Sequence, residues 1–148
     1  MRAVACSDAV RNREKEMRST FRKRILVADC HHDSLILLEK ILEDAEFDTT
    51  TVWTADEALT LLDTRAFDLL LVNEYLPDAD CDDLLQVLTK KGTRLPCIIM
   101  QPSAPCIAVF PRLKAFGVLA VVNKRAYPEI LAAVRKCLGH EESDVRVA

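Results

Sequence analysis

The sequence is poor in glycine, with 3 glycines among its 148 residues. Neither GxGxxG nor GxxxxGK[ST] occurs, and this absence excludes a glycine-rich phosphate cradle as the basis of function. So few glycines also argue against an all-β sandwich, whose many turns draw on that residue. The rest of the composition, 50% hydrophobic and 29% charged, is that of an ordinary globular protein of one domain.

Long apolar runs and cysteine pairs are lacking as well. No stretch approaches the ~18 apolar residues of a membrane helix, and the first two dozen residues carry charges without the apolar core of an export signal. The six cysteines show neither a CxxC pair nor zinc-finger spacing; they are Cys6, Cys30, Cys81, Cys97, Cys106 and Cys137. We therefore expect reduced thiols and a cytoplasmic location.

The net charge of −3 is unevenly distributed. Residues 1–24 hold eight basic and three acidic side chains, and the remainder has a net charge of −8. Such an arm could touch nucleic acid or an anionic surface, but its single aromatic residue, Phe21, and its interleaved acids favour a solvated terminus. We expect a flexible arm over 1–22, a stand-alone domain over 23–139 and a polar tail over 140–148. An alternative for the arm is that translation starts at Met17.

From Arg24 onward, short apolar runs alternate with amphipathic stretches. The runs predict five strands, at 25–28, 48–53, 69–72, 97–100 and 118–122. Helices should follow each strand, with Asp33 and Thr54 as N-caps, Gly92 after the third helix and Pro128 opening the fifth. Three prolines predict a fourth helix that is short, shifted or broken: Pro102, Pro105 and Pro111. This order predicts a doubly wound α/β sandwich, (βα)5, with a parallel sheet.

Ligands of open parallel sheets bind beyond the carboxyl ends of the strands. The residues that the predicted strands bring to that edge are Asp29, Cys30, Asn73, Gln101 and Lys124. An acid and a lysine that converge from separate strands can be a functional pair or a structural ion pair.

The stretch 24–138 resembles the receiver domain of two-component response regulators. The resemblance rests on four segments: RILVADCHHD, DLLLVNEYLPDAD, LPCIIMQ and GVLAVVNKRAYPE. It implies a flavodoxin-like fold with strand order 2-1-3-4-5, and phosphoryl transfer from a histidine kinase to an aspartate at the end of the third strand.

Several family residues are replaced in this chain. The phospho-acceptor position falls on Asn73, whose amide cannot form an acyl phosphate. The paired acids that help hold Mg²⁺ fall on Asp29 and Cys30, and a thiol is a poor ligand for that hard cation. With a single carboxylate facing Lys124, we expect Mg²⁺ binding to be weak or absent, and we assign no cofactor.

The residues through which family members change conformation on phosphorylation are replaced too. The hydroxyl residue after the fourth strand falls on Gln101, although a shifted alignment could recruit Ser103. The aromatic switch residue falls on Val121, and the proline after the lysine falls on Arg125. Tyr75 and Pro77 match the family's loop after the acceptor.

The residues of the pocket suggest three other roles. Glu74 as substitute acceptor is disfavoured, because strand alternation turns it away from its neighbour. The run of soft ligands from Cys30 through His31 and His32 could bind a metal or act in redox chemistry. Consecutive residues of one turn seldom converge on an ion, however, and Cys81 is the obvious residue that could complete such a site.

We therefore predict a receiver-like domain that signals through protein contacts without phosphorylation, and no enzyme. Its partner would be a histidine kinase or a downstream regulator, with no membrane involved and nucleic acid not expected. A homodimer could use the face of the fourth helix, fifth strand and fifth helix, whose basic residues form a partner patch or simply a solvated surface: Arg112, Lys114, Arg125, Arg135 and Lys136. The alternative is a thiol, metal or small-ligand sensor based on Cys30, His31 and His32.

Overall fold

Strands and helices alternate along the chain in a computed structural model, which describes residues 22–102 and 113–139. The elements within those ranges are β1 Arg24–Ala28, α1 His32–Asp44, β2 Asp48–Val52, α2 Ala55–Thr64, β3 Leu69–Asn73, α3 Cys81–Lys90, β4 Cys97–Gln101, β5 Val118–Asn123 and α4 Tyr127–Cys137. The predicted arm, the polar tail and most of the predicted fourth helix lie outside the described residues. None of the helices within the described ranges has the length and apolar character needed to cross a bilayer.

The five strands form one sheet in the order β2-β1-β3-β4-β5, and all four neighbouring pairs are parallel. This confirms the predicted doubly wound architecture and strand order. The edge strand β2 is threonine-rich and only half-buried along most of its length, whereas β3 and β4 are buried throughout.

Each apolar run is continuous because both faces of the sheet are covered. In β1, Ile25 and Val27 pack into a core with α1 and α4, whereas Leu26 and Ala28 pack into a second core with α2 and α3. Alternate side chains of a strand point to opposite faces, so a strand in the middle of such a sandwich needs apolar residues at every position.

Helix ends follow the predictions at two places. Thr54 Oγ1 accepts a hydrogen bond from the backbone N–H of Glu57 over 3.1 Å, so it is the N-cap of α2. At the end of α3, Gly92 has a φ of +75°, and the Thr93 N–H bonds the Leu88 carbonyl over 3.0 Å. This pattern is the Schellman motif that a glycine after a helix permits.

Four predicted boundaries are wrong by a residue or two. Helix α1 begins at His32 with His31 at the N-cap, so the predicted cap Asp33 lies in the first turn. There the positive end of the helix dipole stabilises its negative charge. Strand β2 ends at Val52, because the next residue, Trp53, is 49% exposed and lies outside the sheet. Asn73 and Gln101 are the last residues of their strands rather than the first residues beyond them.

The first turn of α2 has a second cap from a distant loop. The Asp78 carboxylate accepts hydrogen bonds from the backbone N–H groups of Ala55 and Asp56 over 2.8 and 2.9 Å. These two bonds stabilise the charged form of the carboxyl, and the pKa of Asp78 is lowered as a result. The loop after β3 is thereby fastened to the start of α2.

We expect Asp78→Ala to lower the free energy of unfolding by about 1 kcal/mol at neutral pH, because two helix N–H groups lose their acceptor. Since the folded-state pKa is lowered, the contribution is complete above the ordinary carboxyl pKa and is lost as pH falls through the lowered one. Urea unfolding of both proteins between neutral pH and about pH 3 measures this. Glu39→Ala, exposed on α1, is the control; an equal loss there, or a pH-independent difference, would contradict the assignment.

Candidate functional site

The carboxyl edge of the sheet collects the buried polar residues of the described part of the chain. These residues are Asp29, Asn73, Gln101 and Lys124, each exposed by less than a tenth of its surface. Backbone hydrogen bonds extend the sheet past the strand ends. The N–H of Asp29 donates to the Val52 carbonyl, that of Glu74 to the Met100 carbonyl, and that of Lys124 to the Gln101 carbonyl. The sheet itself thus positions the side chains of the site.

An ion pair between Asp29 and Lys124 spans this edge. Lys124 Nζ donates to Asp29 Oδ1 over 2.9 Å and lies at the same distance from Oδ2, which accepts no hydrogen bond from the described residues. Asp29 follows β1 and Lys124 follows β5, and β3 and β4 lie between those strands. The ion pair therefore passes over the ends of the two central strands.

His31 and Cys30 extend the ion pair toward solvent. His31 Nδ1 lies 3.1 Å from Asp29 Oδ1 and within hydrogen-bond distance of Lys124 Nζ, and its backbone N–H also donates to Oδ1. The Cys30 thiol is 3.7 Å from the same ring nitrogen. Within the described residues, Asp29, Cys30 and His31 form a group whose ligand atoms all lie within 4.8 Å of one another.

Three consecutive residues of the turn before α1 thus bring their ligand atoms together. His32 does not join them: its ring packs against Trp53, with centroids 5.6 Å apart. Cys81 does not join them either, since its thiol contacts Asp82 at 3.7 Å.

Asn73 occupies the end of β3 with its amide turned into the following loop. Its Nδ2 donates to the Tyr75 carbonyl over 3.0 Å, while its Oδ1 is buried and accepts no hydrogen bond from the described residues. The side chain thereby supports the turn after the strand. An amide here offers a neutral oxygen where the family resemblance implies a nucleophilic carboxylate.

Sequence reasoning missed a cavity between the loop after β3 and the end of β4. This cavity has a volume of about 240 Å³, and the residues lining it include Glu74, Asp80, Asp82 and Gln101. It forms because the loop after β3 folds back, with Tyr75 paired to Asp80 and the Cys81 N–H bonded to the Glu74 carbonyl. The acidic residues near the start of α3 indicate a polar site there, but their spacing does not indicate how the loop folds to form the cavity.

Carboxylates around this cavity raise the pKa values of neighbouring side chains. The negative charge of Glu74 disfavours a phenolate beside it, and the pKa of Tyr75 is raised. Burial, together with the charge of Asp82, raises the pKa of the Cys81 thiol to about 12. Cys97 is buried within the sheet, and its pKa is also raised to about 12.

Two further predicted positions, Val121 and Arg125, have other contacts. Val121 is half-buried and packs against the core on the α2 and α3 side. Arg125 is exposed, and its backbone N–H donates to Asn123 Oδ1 over 2.9 Å. Ser103 and Arg112 lie outside the described residues.

The donor set does not fit Mg²⁺. This ion requires several oxygen ligands in octahedral geometry, usually including one or two carboxylates. The pocket offers Asp29, whose two oxygens both lie 2.9 Å from an ammonium group, and a thiol at the next position. One carboxylate that is already paired with an ammonium group does not supply the oxygen ligands that Mg²⁺ requires.

We expect Lys124→Met to lower the free energy of unfolding by about 3 kcal/mol, because the substitution leaves the Asp29 charge buried without its partner. Adding Asp29→Asn should recover part of that loss, since the unpaired charge is then removed as well. Urea unfolding of the two single variants and the double variant measures the coupling.

Lys136→Met, at an exposed position on α4, is the control and should change stability by less than about 0.5 kcal/mol. Purely additive effects of the two substitutions in the pocket would contradict the ion pair's role.

We expect the Cys30 thiol to react with iodoacetamide at least about tenfold faster than those of Cys81 and Cys97 at neutral pH, because the thiolate is the reactive form. The two buried thiols have pKa values of about 12, whereas Cys30 is partly exposed. Peptide mapping by mass spectrometry separates the sites, and equal rates after urea unfolding are the control. Equal rates in the folded protein would contradict the burial of these cysteines.

Known proteins resemble this chain over most of its length. Residues 25–136 match the family model of the response regulator receiver domain. The two-component response regulator ARR14 of Arabidopsis thaliana is 32% identical over 127 residues, which are 80% of this chain. The chain spans about a third of the length of that curated relative.

Solved structures show the same fold. A CheY-like response regulator receiver domain protein from Methanospirillum hungatei aligns with a TM-score of 0.72 at 23% identity, covering 83% of this chain and 98% of that one. The response regulator TrrA of Thermotoga maritima, solved in complex with Mg²⁺ and BeF, aligns with a TM-score of 0.67 at 22% identity, covering 78% and 98%. With its family match, its strand order and the lysine and aspartate at the carboxyl edge of its sheet, the chain belongs to the response regulator receiver domains of two-component signalling.

Proposed function

We propose that this receiver domain works as a phosphorylation-independent module that transmits signals through protein contacts. The observation that carries the proposal is the Asp29–Lys124 ion pair over the end of β3, where Asn73 stands in place of an acceptor carboxylate. The pocket then holds one fixed arrangement instead of alternating between a phosphorylated and an unphosphorylated one.

The chemistry at the end of β3 supports this proposal. Formation of an acyl phosphate requires a carboxylate oxygen as nucleophile, and an amide has none. The Asn73 amide is also engaged, since its nitrogen donates to the Tyr75 carbonyl over 3.0 Å. Glu74 lines the neighbouring cavity, so it is not placed to substitute for its neighbour.

Electrostatics support it as well. The Lys124 ammonium lies against both oxygens of Asp29 and near His31 Nδ1, where it supplies the positive charge that a metal ion would otherwise bring. TrrA was solved with Mg²⁺ and BeF; we propose that the present pocket binds both weakly or not at all.

A protein partner would meet the exposed surface rather than the pocket. The face of β5 and α4 presents Leu119, which is 51% exposed, together with the exposed cations Arg125 and Lys136. Lys114 is exposed nearby. A histidine kinase, a downstream regulator or a second copy of the chain would bind there, within the cytoplasm.

The test compares the natural protein with a variant in which two family carboxylates are restored. We expect no saturable amide NMR shifts near Asn73, Gln101 and Lys124 when Mg²⁺ and beryllofluoride are added to the natural protein. Asn73→Asp combined with Cys30→Asp should give saturable shifts, because the pocket then holds three carboxylates.

Asn123→Asp is the matched control, since it adds a carboxylate at the end of β5 instead. It should behave like the natural protein. Saturable shifts in the natural protein, or a phosphoryl group on it after incubation with acetyl phosphate, would overturn the proposal.

A further inference from the structure

We propose that Asp29, Cys30 and His31 bind a divalent transition metal ion of the Zn²⁺ class. This site goes beyond the proposed function and does not depend on it. The three residues each offer one ligand atom, and those atoms lie within 4.8 Å of one another at the edge of the sheet. They are a carboxylate oxygen, a thiol sulfur and an imidazole nitrogen, which is a donor set that Zn²⁺ accepts.

The distances between these atoms are close to those of a tetrahedral ion. Bonds of about 2.3 Å to sulfur and about 2.1 Å to nitrogen and oxygen place the ligand atoms roughly 3.4–3.6 Å apart. Asp29 Oδ1 and His31 Nδ1 are 3.1 Å apart, and Cys30 Sγ is 3.7 Å from His31 Nδ1. Small side-chain rotations would therefore bring these ligands onto one ion.

The character of the donors excludes the ion that the family resemblance implies. Thiolate and imidazole favour Zn²⁺, Co²⁺ or Cu⁺, whereas Mg²⁺ prefers a shell of oxygen ligands. Access is suitable as well, because Asp29 is buried, Cys30 is partly exposed and the His31 side chain is 64% exposed. An ion can reach the ligands from solvent and be anchored at its inner side by the buried carboxylate.

Lys124 already places a positive charge at this point. Its Nζ lies 2.9 Å from both Asp29 oxygens and within hydrogen-bond distance of His31 Nδ1, so it shares two of the three ligands. Metal binding would displace the ammonium from these atoms and release the proton of the Cys30 thiol. Lys124 is thus a built-in competitor that sets the affinity of the site.

Co²⁺ is the probe, because a cobalt–thiolate bond gives a charge-transfer absorption in the near ultraviolet. We expect the reduced 148-residue chain to bind one Co²⁺ with this absorption, and Zn²⁺ to displace it while excess Mg²⁺ does not. Cys30→Ser should abolish the absorption, and both Cys30→Ser and His31→Gln should weaken binding at least about tenfold.

Two further variants sharpen the test. Lys124→Met should bind Co²⁺ more tightly than the natural protein, because it removes the competing charge. His32→Gln is the matched control: that ring packs on Trp53 instead of facing the site, so its loss should leave binding unchanged. Both ligand substitutions alter exposed or partly exposed side chains, and circular dichroism verifies that each variant is folded.

The proposal is overturned if the natural protein shows no charge-transfer absorption with Co²⁺. It is also overturned if the absorption persists in Cys30→Ser, since another cysteine would then be the ligand, or if His32→Gln weakens binding as much as His31→Gln does. The beryllofluoride titration tests the proposed function separately.

Discussion

The buried ion pair between Asp29 and Lys124 determines how the carboxyl edge of the sheet is built. Its two members follow β1 and β5, so the contact ties together strands that have no direct pairing and passes over the ends of β3 and β4. A charge buried this deeply is costly when its partner is missing. Each residue is therefore constrained by the other, and the pair spans the sheet edge at which Asn73 ends β3.

Such a pocket separates the receiver fold from phosphoryl chemistry. The two apolar cores and the parallel sheet require only continuous hydrophobic strands and amphipathic helices, and both are present here. Phosphoryl transfer requires in addition an acceptor carboxylate and an oxygen-rich cation site, and neither contributes to the packing of the cores. The functional residues can therefore change while the scaffold remains, because the folding free energy comes mainly from burial elsewhere.

The sequence predicted the strands, their order through the family resemblance, the Thr54 cap and the residues at the strand ends, because these depend on local patterning and topology. It did not predict that His31, rather than Asp33, precedes α1, since that choice depends on the bond between the His31 N–H and Asp29. The meeting of Cys30 with His31 and the separation of His32 also depend on side-chain directions in one turn. Periodicity carries no information about such directions.

The two hydrogen bonds from the start of α2 to Asp78 have a consequence for motion. Because Asp78 belongs to the loop between β3 and α3, that loop cannot swing outward without breaking these two hydrogen bonds. Outward motion of the loop would therefore remove one of the two caps at the start of α2. The amide protons of Ala55 and Asp56 would exchange with solvent at a rate set by this opening. Hydrogen exchange at these two residues therefore reports how often the loop opens.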